Sequence, residues 1–281
     1  METIICPTNF STSSEHAIRY ADQLAHWMQA RMILFHNIHE PATAPAGSYG
    51  GVLYAEPIRD PGYREAQLAR LNAWKNKLAS AAGSQPIRYE SQVSYGLAQH
   101  NIVGEALANR ADLIVLGSKR DEGLKQIFRK SVVGDVIRQS PCPVLLIPPQ
   151  ATFKPLTRIV FATSLFGEDE ADLGFIAQLT AAFQAQLLFL HIMPEYSAVE
   201  RQEAETIFNR FRQKLPDTNT DFYIETHQDI EEGISQFTRH HQADLLIIGY
   251  HPQSFWERLL LGDHTQAIAS HATLPLLIIP F

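Results

Sequence analysis

The segment from Gly117 to Ser131 holds the residue types best suited to binding an anion. It contains five cations, which are Lys119, Arg120, Lys125, Arg129 and Lys130. Such side chains bind phosphate through charge-assisted hydrogen bonds. A run of like charge is, however, typically a solvated face of a helix. We therefore predict that these cations are solvated and that Lys130 blocks the adjoining pocket, with phosphate binding as the alternative.

Histidines concentrate toward the end of the sequence and are the candidates for a metal site. Six of the twelve follow residue 226, and His251, Asp263 and His264 would lie near one loop. Zinc enzymes use fixed ligand spacings such as His-Glu-x-x-His, and none is present here. We predict no metal site. His36 and His191 each end an apolar run, and we expect both to be hydrogen-bonded structural groups.

The sequence offers no nucleophile in a catalytic setting. Cys6 and Cys142 belong to apolar runs, where thiols are typically inert packing groups. The Gly-x-Ser-x-Gly elbow, the Walker loop and the dinucleotide fingerprint do not occur. We therefore predict that the chain carries no catalytic residues.

The composition is that of a globular protein with one large domain or two smaller ones. The chain has 281 residues, of which 45% are hydrophobic and 19% charged, and this excludes disordered, collagen-like and coiled-coil chains. No apolar run approaches the ~18–20 residues of a membrane span, and the chain begins with no signal peptide. With two cysteines no disulfide framework can form, so we expect a cytoplasmic protein.

The charge is unevenly distributed along the chain. The formal net charge of −7 argues against a nucleic-acid binder, which would normally be basic. Residues 1–150 carry 15 Lys and Arg against 13 Asp and Glu, and residues 151–281 carry 8 against 17. The two parts therefore have net charges of +2 and −9.

The sequence contains an internal repeat. Ala111–Gly117 recurs as Ala243–Gly249, and Pro143–Pro148 recurs as Pro275–Pro280, both at an offset of 132 residues. Collinear matches of this kind indicate a duplication. We therefore predict two domains, residues 1–150 and 151–281.

A third match locates an insertion in the first half. Leu34–Glu40 resembles Phe189–Glu195 at an offset of 155 residues, so the first half has 23 additional residues after Glu40. Pro41–Tyr63 has that length and no hydrophobic periodicity, and we predict a long loop there.

Each half alternates short apolar runs with longer amphipathic stretches. The predicted strands are Thr3–Thr8, Met32–Ile38, Ile87–Val93, Leu113–Gly117, Pro143–Ile147, Arg158–Ala162, Leu187–Ile192, Phe222–Thr226, Leu245–Gly249 and Leu276–Ile279. Helical periodicity occurs at Ser14–Gln29, Arg64–Ala82 and Glu200–Leu215. This alternation predicts α/β domains with a five-stranded parallel sheet in each half. Ligands of such sheets bind at the carboxyl ends of the strands.

In each half an Asp-Leu motif at the fourth strand precedes a loop, a helix and a Pro-flanked apolar strand, and this pattern resembles tandem universal stress protein domains. The resemblance implies two three-layer domains of the adenine-nucleotide α-hydrolase-like type, with strand order 3-2-1-4-5 and helices on both faces. It also implies dimerisation through fifth strands. ATP-binding members of that family carry an Asp after the first strand and Gly-x2-Gly-x9-Gly-Ser/Thr after the fourth.

The first half departs from this motif at its acid and at two of its glycines. Asn9 replaces the Asp, while Arg120 and Lys130 replace the second and third Gly. Gly117 and Ser131 match the motif. If binding is retained, the resemblance implies contacts from these five residues and from Ile38, with ATP or another adenine nucleotide as the ligand.

The second half departs from the motif as well. Ser164 replaces the Asp, Pro252 replaces the middle Gly, and Asp263 replaces the Ser/Thr where the family places phosphate. Gly249 and Gly262 match. An aspartate would repel phosphate, so we predict a vestigial pocket without nucleotide.

We therefore predict a cytoplasmic regulatory or adaptor protein of the stress response, which is not an enzyme. The alternative is an adenine-nucleotide sensor that uses the first-half pocket, with or without weak ATPase activity. We expect an intramolecular pseudo-dimer formed through the terminal strands, with a homodimer as an alternative. We also expect an unidentified protein partner, but neither nucleic acid nor a membrane.

Overall fold

The computed structural model describes residues 1–39, 60–81, 86–118, 131–163, 173–195, 197–215, 218–250 and 274–280. The strands in this part of the chain are β1 (Thr3–Thr8), β2 (Arg31–Ile38), β3 (Tyr89–Tyr95), β4 (Leu113–Gly117), β5 (Val144–Ile147), β6 (Arg158–Ala162), β7 (Gln186–Met193), β8 (Thr220–Thr226), β9 (Leu245–Tyr250) and β10 (Leu276–Pro280). The helices are α1 (Thr12–Met28), α2 (Pro61–Ala81), α3 (Ala98–Ala108), α4 (Val132–Gln139), α5 (Leu173–Phe183), α6 (Ala198–Lys214) and α7 (Ile230–His240).

The strands form a single ten-stranded sheet in the order β3-β2-β1-β4-β5-β10-β9-β6-β7-β8. All paired strands are parallel except β5 and β10, which pair antiparallel, with Leu145 opposite Leu277. Each half therefore has the strand order 3-2-1-4-5. The predicted duplication of one parallel α/β fold is confirmed.

Because β5 and β10 are antiparallel, the strands of the two halves run in opposite directions. We call the two sides of the sheet on which strands begin and end its rims. The first rim holds the carboxyl ends of β1 to β5 and the amino ends of β6 to β10, and the second rim is opposite. Sites at the carboxyl ends of the two halves would consequently lie on opposite rims.

Helices cover both faces of the sheet, as the resemblance implied. Side chains alternate along each strand, so Ile4 and Cys6 face one layer while Ile5 faces the other. The first layer contains α1, α2, α5 and α6, and the second contains α3, α4 and α7. Both hydrophobic clusters run through the two halves without interruption. Burial on both faces explains the nearly continuous apolar runs of the strands.

Helices α1 and α5 bring the two halves together in the first layer. The ring of Trp27 stacks on that of Phe183 at 5.0 Å between centroids and 3° between planes. Its Nε1 donates to the carbonyl of Ala182 at 3.1 Å. Phe153, from the connecting segment, contacts Tyr20 edge-on and packs near Phe183. The linker therefore contributes to the packing between the halves.

Most predicted boundaries differ from the structure by a few residues, and two of these differences have a clear physical reason. The sequence predicts residues 61–63 in the loop, whereas α2 begins at Pro61, because the fixed φ of proline suits the first turn of a helix. Asp60 supports this start by accepting a hydrogen bond from Gly62 N at 2.8 Å. The rest of the predicted loop, residues 41–59, lies outside the described residues. Strand β3 begins at Tyr89 rather than Ile87, which packs against the core just before the strand.

Candidate functional site

The turn after β1 is held by hydrogen bonds within its own residues. Phe10 has a positive φ of 60°, and its N–H donates to Thr8 Oγ1 at 2.9 Å. The amide oxygen of Asn9 accepts from Ser11 N at 3.1 Å, a turn geometry that Asn favours. Ser11 then caps α1, accepting from Ser14 N. The residue at the acidic position of the motif is therefore a neutral side chain engaged in its own turn.

A stack of three side chains lies beside this turn. The ring of Phe10 packs on His36 at 4.5 Å between centroids, and the guanidinium of Arg70 lies 3.9 Å from the centre of the Phe10 ring. His36 Nδ1 is 2.8 Å from the carbonyl of Thr8. Burial lowers the pKa of His36, the bond to Thr8 opposes that shift, and the nearby charge of Arg70 adds to it. A neutral imidazole donates through Nδ1 here, so Nε2 is an acceptor.

The end of β2 is joined to the turn between β3 and α3. The carbonyl of Ile38 accepts from Gly96 N at 3.1 Å. Asn37 donates to Gly96 O at 2.8 Å, and Asn101 donates to Asn37 Oδ1 at 2.6 Å and to Tyr95 O at 2.9 Å. Gly96 has a φ of 127°, which non-glycine residues rarely adopt. These bonds make the Ile38 carbonyl part of the scaffold.

Gly117 ends β4 directly against the start of α1. A Cβ atom built on it would lie 2.3 Å from the carbonyl oxygen of Ser13 and 3.1 Å from Ser14 N. No side chain fits at that distance, so the approach of strand to helix requires glycine at this position.

Ser131 precedes α4 as its N-cap. Its hydroxyl oxygen accepts from Gly134 N at 3.0 Å and thereby satisfies one of the free donors of the first helical turn. The two motif residues that the first half retains, Gly117 and Ser131, thus both have structural tasks in the fold.

The comparisons with known proteins agree with this architecture. The model of the "Universal stress protein family" matches residues 1–148 and again residues 155–280. The chain belongs to the universal stress protein family. Universal stress protein YxiE of Bacillus subtilis is 30% identical over 138 residues, which are 49% of this chain and 92% of that protein.

A solved universal stress protein from Archaeoglobus fulgidus shares the fold. It superposes with a TM-score of 0.70 at 15% identity, covering 99% of this chain and 98% of its own. Another, solved in complex with cAMP, is 24% identical and covers 53% of this chain and 97% of its own, with a TM-score of 0.38.

The second universal stress protein domain repeats the histidine arrangement. His191 Nδ1 is 2.9 Å from the carbonyl of Thr163, as His36 Nδ1 is from that of Thr8. His191 is 4% exposed, and its Nε2 has no hydrogen-bond partner among the described residues. Burial lowers the pKa of His191, and the bond to Thr163 opposes that shift. The prediction that both histidines are hydrogen-bonded structural groups is confirmed.

The predicted site residues fall partly outside the described residues. In the first domain Asn9 lies just before the N-cap of α1, Gly117 lies against the first turn of that helix, and Ile38 ends the neighbouring β2. Of the second domain, Gly249 lies in β9 opposite Ile279. Arg120, Lys130, Ser164, Gly262 and Asp263 lie outside the described residues, as do Pro252, His251 and His264. Within the described ranges no cluster of metal-ligating side chains occurs.

The two cysteines are buried packing residues. Cys6 and Cys142 are free thiols within the core. Burial raises the pKa of both, that of Cys142 to about 11 despite its hydrogen bond with Ser140. Thiols that remain protonated at neutral pH are poor nucleophiles. None of the helices in the described part of the chain is long and apolar enough to span a membrane.

Sequence reasoning missed one pair of residues, although the repeat contained it. Asp112 and Asp244 each precede the fourth strand of their domain and bind the amino end of its first strand. Asp112 Oδ2 accepts from Glu2 N at 2.6 Å and Thr3 N at 2.9 Å. The repeated Ala-Asp-Leu motif could have revealed this pair, because it places an aspartate before the fourth strand in each half. The role of the aspartate is structural.

Asp244 makes the larger set of contacts. Its Oδ2 accepts from Thr157 N and Oγ1, both at 2.7 Å, and from Arg158 N at 3.0 Å, while Lys154 Nζ lies 2.5 Å from Oδ1. Burial alone would raise the pKa of Asp244, but Lys154 and the donors of Thr157 and Arg158 outweigh it and lower that pKa.

Proposed function

We propose that this chain is a non-catalytic regulatory or adaptor protein of the stress response, which acts through a protein partner and does not depend on nucleotide. The observation that carries the proposal is the structural use of both motif residues retained in the first domain. Gly117 is required by the approach of β4 to Ser13, and Ser131 caps α4. Their match to the family motif therefore has an explanation that involves no ligand.

The change at Asn9 supports the same proposal. A carboxylate at this position would accept hydrogen bonds from nucleotide hydroxyls with a full negative charge, whereas Asn9 is neutral and its oxygen already accepts from Ser11 N. Phosphate hydrolysis further needs a base or a metal-binding acid beside the phosphate. No motif residue of the first domain is such an acid, since the motif positions hold Asn9, Gly117, Arg120, Lys130 and Ser131. This favours a role without hydrolysis.

The alternative function is an adenine-nucleotide sensor that uses the first-domain pocket, with or without weak ATPase activity. The five cations between Gly117 and Ser131 favour it, because they could bind phosphate in place of glycine N–H groups. The double substitution Arg120→Gly with Lys130→Gly separates the two hypotheses. It should create affinity for ATP if these side chains block the pocket, and abolish affinity if they bind the phosphates.

The proposal includes an intramolecular pseudo-dimer. The pairing of β5 with β10, in which Leu145 faces Leu277, and the stacking of Trp27 on Phe183 support it. Strand pairing removes two open edges that would otherwise invite aggregation. We further propose a cytoplasmic location, which fits the two free, buried cysteines.

Purification of the full chain under native conditions tests the nucleotide-independent role. The absorbance ratio at 260 and 280 nm and mass spectrometry of the denatured supernatant should show no stoichiometric nucleotide. Stoichiometric ATP or cAMP would refute the proposal and favour the sensor. Cyclic AMP belongs in the analysis because a solved family member is in complex with it.

A further inference from the structure

A cavity of about 530 Å³ opens on the second rim, where β1, β2 and β3 begin. Three arginines line it, Arg31, Arg88 and Arg110. The family motif lies at the opposite ends of these strands, on the first rim. Volumes of this size are typical of small-molecule sites, and the cavity is separate from the candidate site described above.

Arg31 is held in place at the wall of this cavity. Its Nε donates to Thr3 Oγ1 at 2.9 Å, Nη2 to the carbonyl of Asn109 at 2.9 Å, and Nη1 to Glu90 at 3.2 Å. A guanidinium has five N–H donors, so two remain for a ligand. A fixed guanidinium loses little conformational entropy when an anion binds.

The other two arginines retain more of their donors. Arg88 contacts Glu90 through Nε at 3.1 Å and is otherwise exposed. Arg110 adopts a left-handed backbone with a φ of 48°, and its guanidinium has no ion pair or hydrogen bond to the described residues. Arg31 and Arg88 share one acid, Glu90, and Glu2 is the acid among the lining residues. These two carboxylates neutralise the three arginines only in part.

The duplicated domain shows that the fold does not need these arginines. Gln186 pairs with β6 as Arg31 pairs with β1, and Gln242 has the same left-handed backbone as Arg110. Asn219 is the equivalent of Arg88. The carbonyl of Arg88 accepts a hydrogen bond from Met32 N, and the carbonyl of Asn219 accepts one from Leu187 N. All three equivalents are uncharged amides. Gln186 donates to Asp221 at 2.6 Å, in place of the pair between Arg31 and Glu90.

We propose that the second-rim cavity of the first domain binds a small molecule carrying a phosphate or pyrophosphate group. Three guanidinium groups from three separate elements, Arg31, Arg88 and Arg110, would surround the anion. Arginine forks match phosphate oxygens in pairs, and a dianion balances the net positive lining. The cavity is larger than one phosphate group, so the remainder of the ligand occupies it as well. This site is independent of the function proposed above.

Calorimetry of the full chain with inorganic pyrophosphate, in a phosphate-free buffer, tests this site. We expect a dissociation constant of about 1 mM or lower. The deciding variant is Arg88→Asn with Arg110→Gln, which installs the residues of the second domain. Arg31→Gln serves as a second variant, and thermal unfolding verifies that each one is folded.

The deciding variant should weaken binding at least about tenfold. Arg239→Gln, at an exposed ion pair with Glu232 in the second domain, is the matched control and should leave affinity unchanged. Absence of pyrophosphate binding to the wild-type chain would overturn the proposal. Equal affinity of the wild type and the deciding variant would overturn it too, because the anion would then bind elsewhere.

Discussion

Gly117 occupies a position that matches a ligand-binding motif, yet packing alone accounts for it. The Cβ of any other residue would lie 2.3 Å from Ser13 O, and that atom belongs to the backbone at the start of α1, which cannot rotate away. The close approach of β4 to α1 therefore requires glycine at this position, and its presence is not evidence of nucleotide binding. The same holds for Ser131 as an N-cap.

Gly117→Ala should destabilise the protein by about 1–3 kcal/mol, the range typical of overpacked sites. Gly104→Ala is the matched control, since Gly104 lies in α3 with nothing within 4 Å of the added methyl group. There alanine should stabilise by about 0.5–1 kcal/mol through helix propensity. Urea denaturation measures both. A Gly117→Ala variant as stable as the wild type would contradict the packing explanation.

The buried histidines make stability depend on pH. Burial lowers the pKa of His36 and of His191 in the folded protein, so near neutral pH the unfolded chain binds protons more readily. The stabilisation that these histidines contribute is complete above the pKa of histidine in the unfolded chain, about 6.5. It is lost as the pH falls from that value toward the lower pKa of the folded protein.

His191→Asn should reduce this pH dependence, because the Asn amide can still donate to Thr163 O but does not titrate. The free energy of unfolding, measured from about pH 7.5 to about pH 5.5, should fall less in the variant than in the wild type. His100→Asn changes an exposed histidine and is the control for the replacement of a histidine by asparagine. An unaltered dependence in His191→Asn would show that His191 does not titrate as described.

At the scale of elements, each first strand is anchored by an aspartate that precedes the fourth strand. The carboxylate of Asp244 accepts three hydrogen bonds from Thr157 and Arg158 and lies beside Lys154. Without this carboxylate the partly buried N–H groups of Thr157 and Arg158 would lose their charged acceptor. The anchor therefore joins β6 to the loop between α7 and β9.

Asp244→Ala should cost about 2–3 kcal/mol of stability, as expected when donors lose a charged acceptor. Asp221→Ala removes an acid that accepts an exposed hydrogen bond from Gln186, and it should cost less than about 1 kcal/mol. Thermal and urea unfolding of both variants measure the difference. Similar losses from the two substitutions would contradict the anchoring role of Asp244.

The sequence predicted the strands and the duplication well, because a strand covered on both faces is a run of apolar residues. It placed the starts of α2 and β3 less well. Pro61 and Gly62 are typical loop residues, and the sequence does not show that Asp60 supports a helical turn there. Ile87 is apolar because it packs against the core, although it does not belong to the strand. The sequence placed Asn9 and Gly117 at the correct strand ends, but their hydrogen bonds and steric contacts depend on three-dimensional neighbours.

At the scale of the whole molecule, the two domains share one sheet and two hydrophobic layers. The β5–β10 pair lies at the centre of that sheet, with the stacked rings of Trp27 and Phe183 on one face. A single chain thus supplies both terminal strands of the proposed pseudo-dimer. The rival arrangement pairs each terminal strand with one from another chain.

A cysteine pair at Leu145 and Leu277, which face each other across the two strands, distinguishes these arrangements. We expect oxidation of the Leu145→Cys, Leu277→Cys chain, with Cys6 and Cys142 changed to Ala, to give a product of monomer mass. Non-reducing electrophoresis distinguishes monomer from covalent dimer, and the controls are the variants that carry only Leu145→Cys or only Leu277→Cys. A covalent dimer that requires both cysteines would favour the rival arrangement.

Calorimetric titration of the full chain with magnesium–ATP tests most directly the claim that the retained motif residues serve the fold and not a nucleotide. We expect no binding with a dissociation constant in the low-micromolar range, since Asn9 has replaced the acid, and Gly117 and Ser131 already have structural tasks. A dissociation constant of about 10 μM or lower would contradict it.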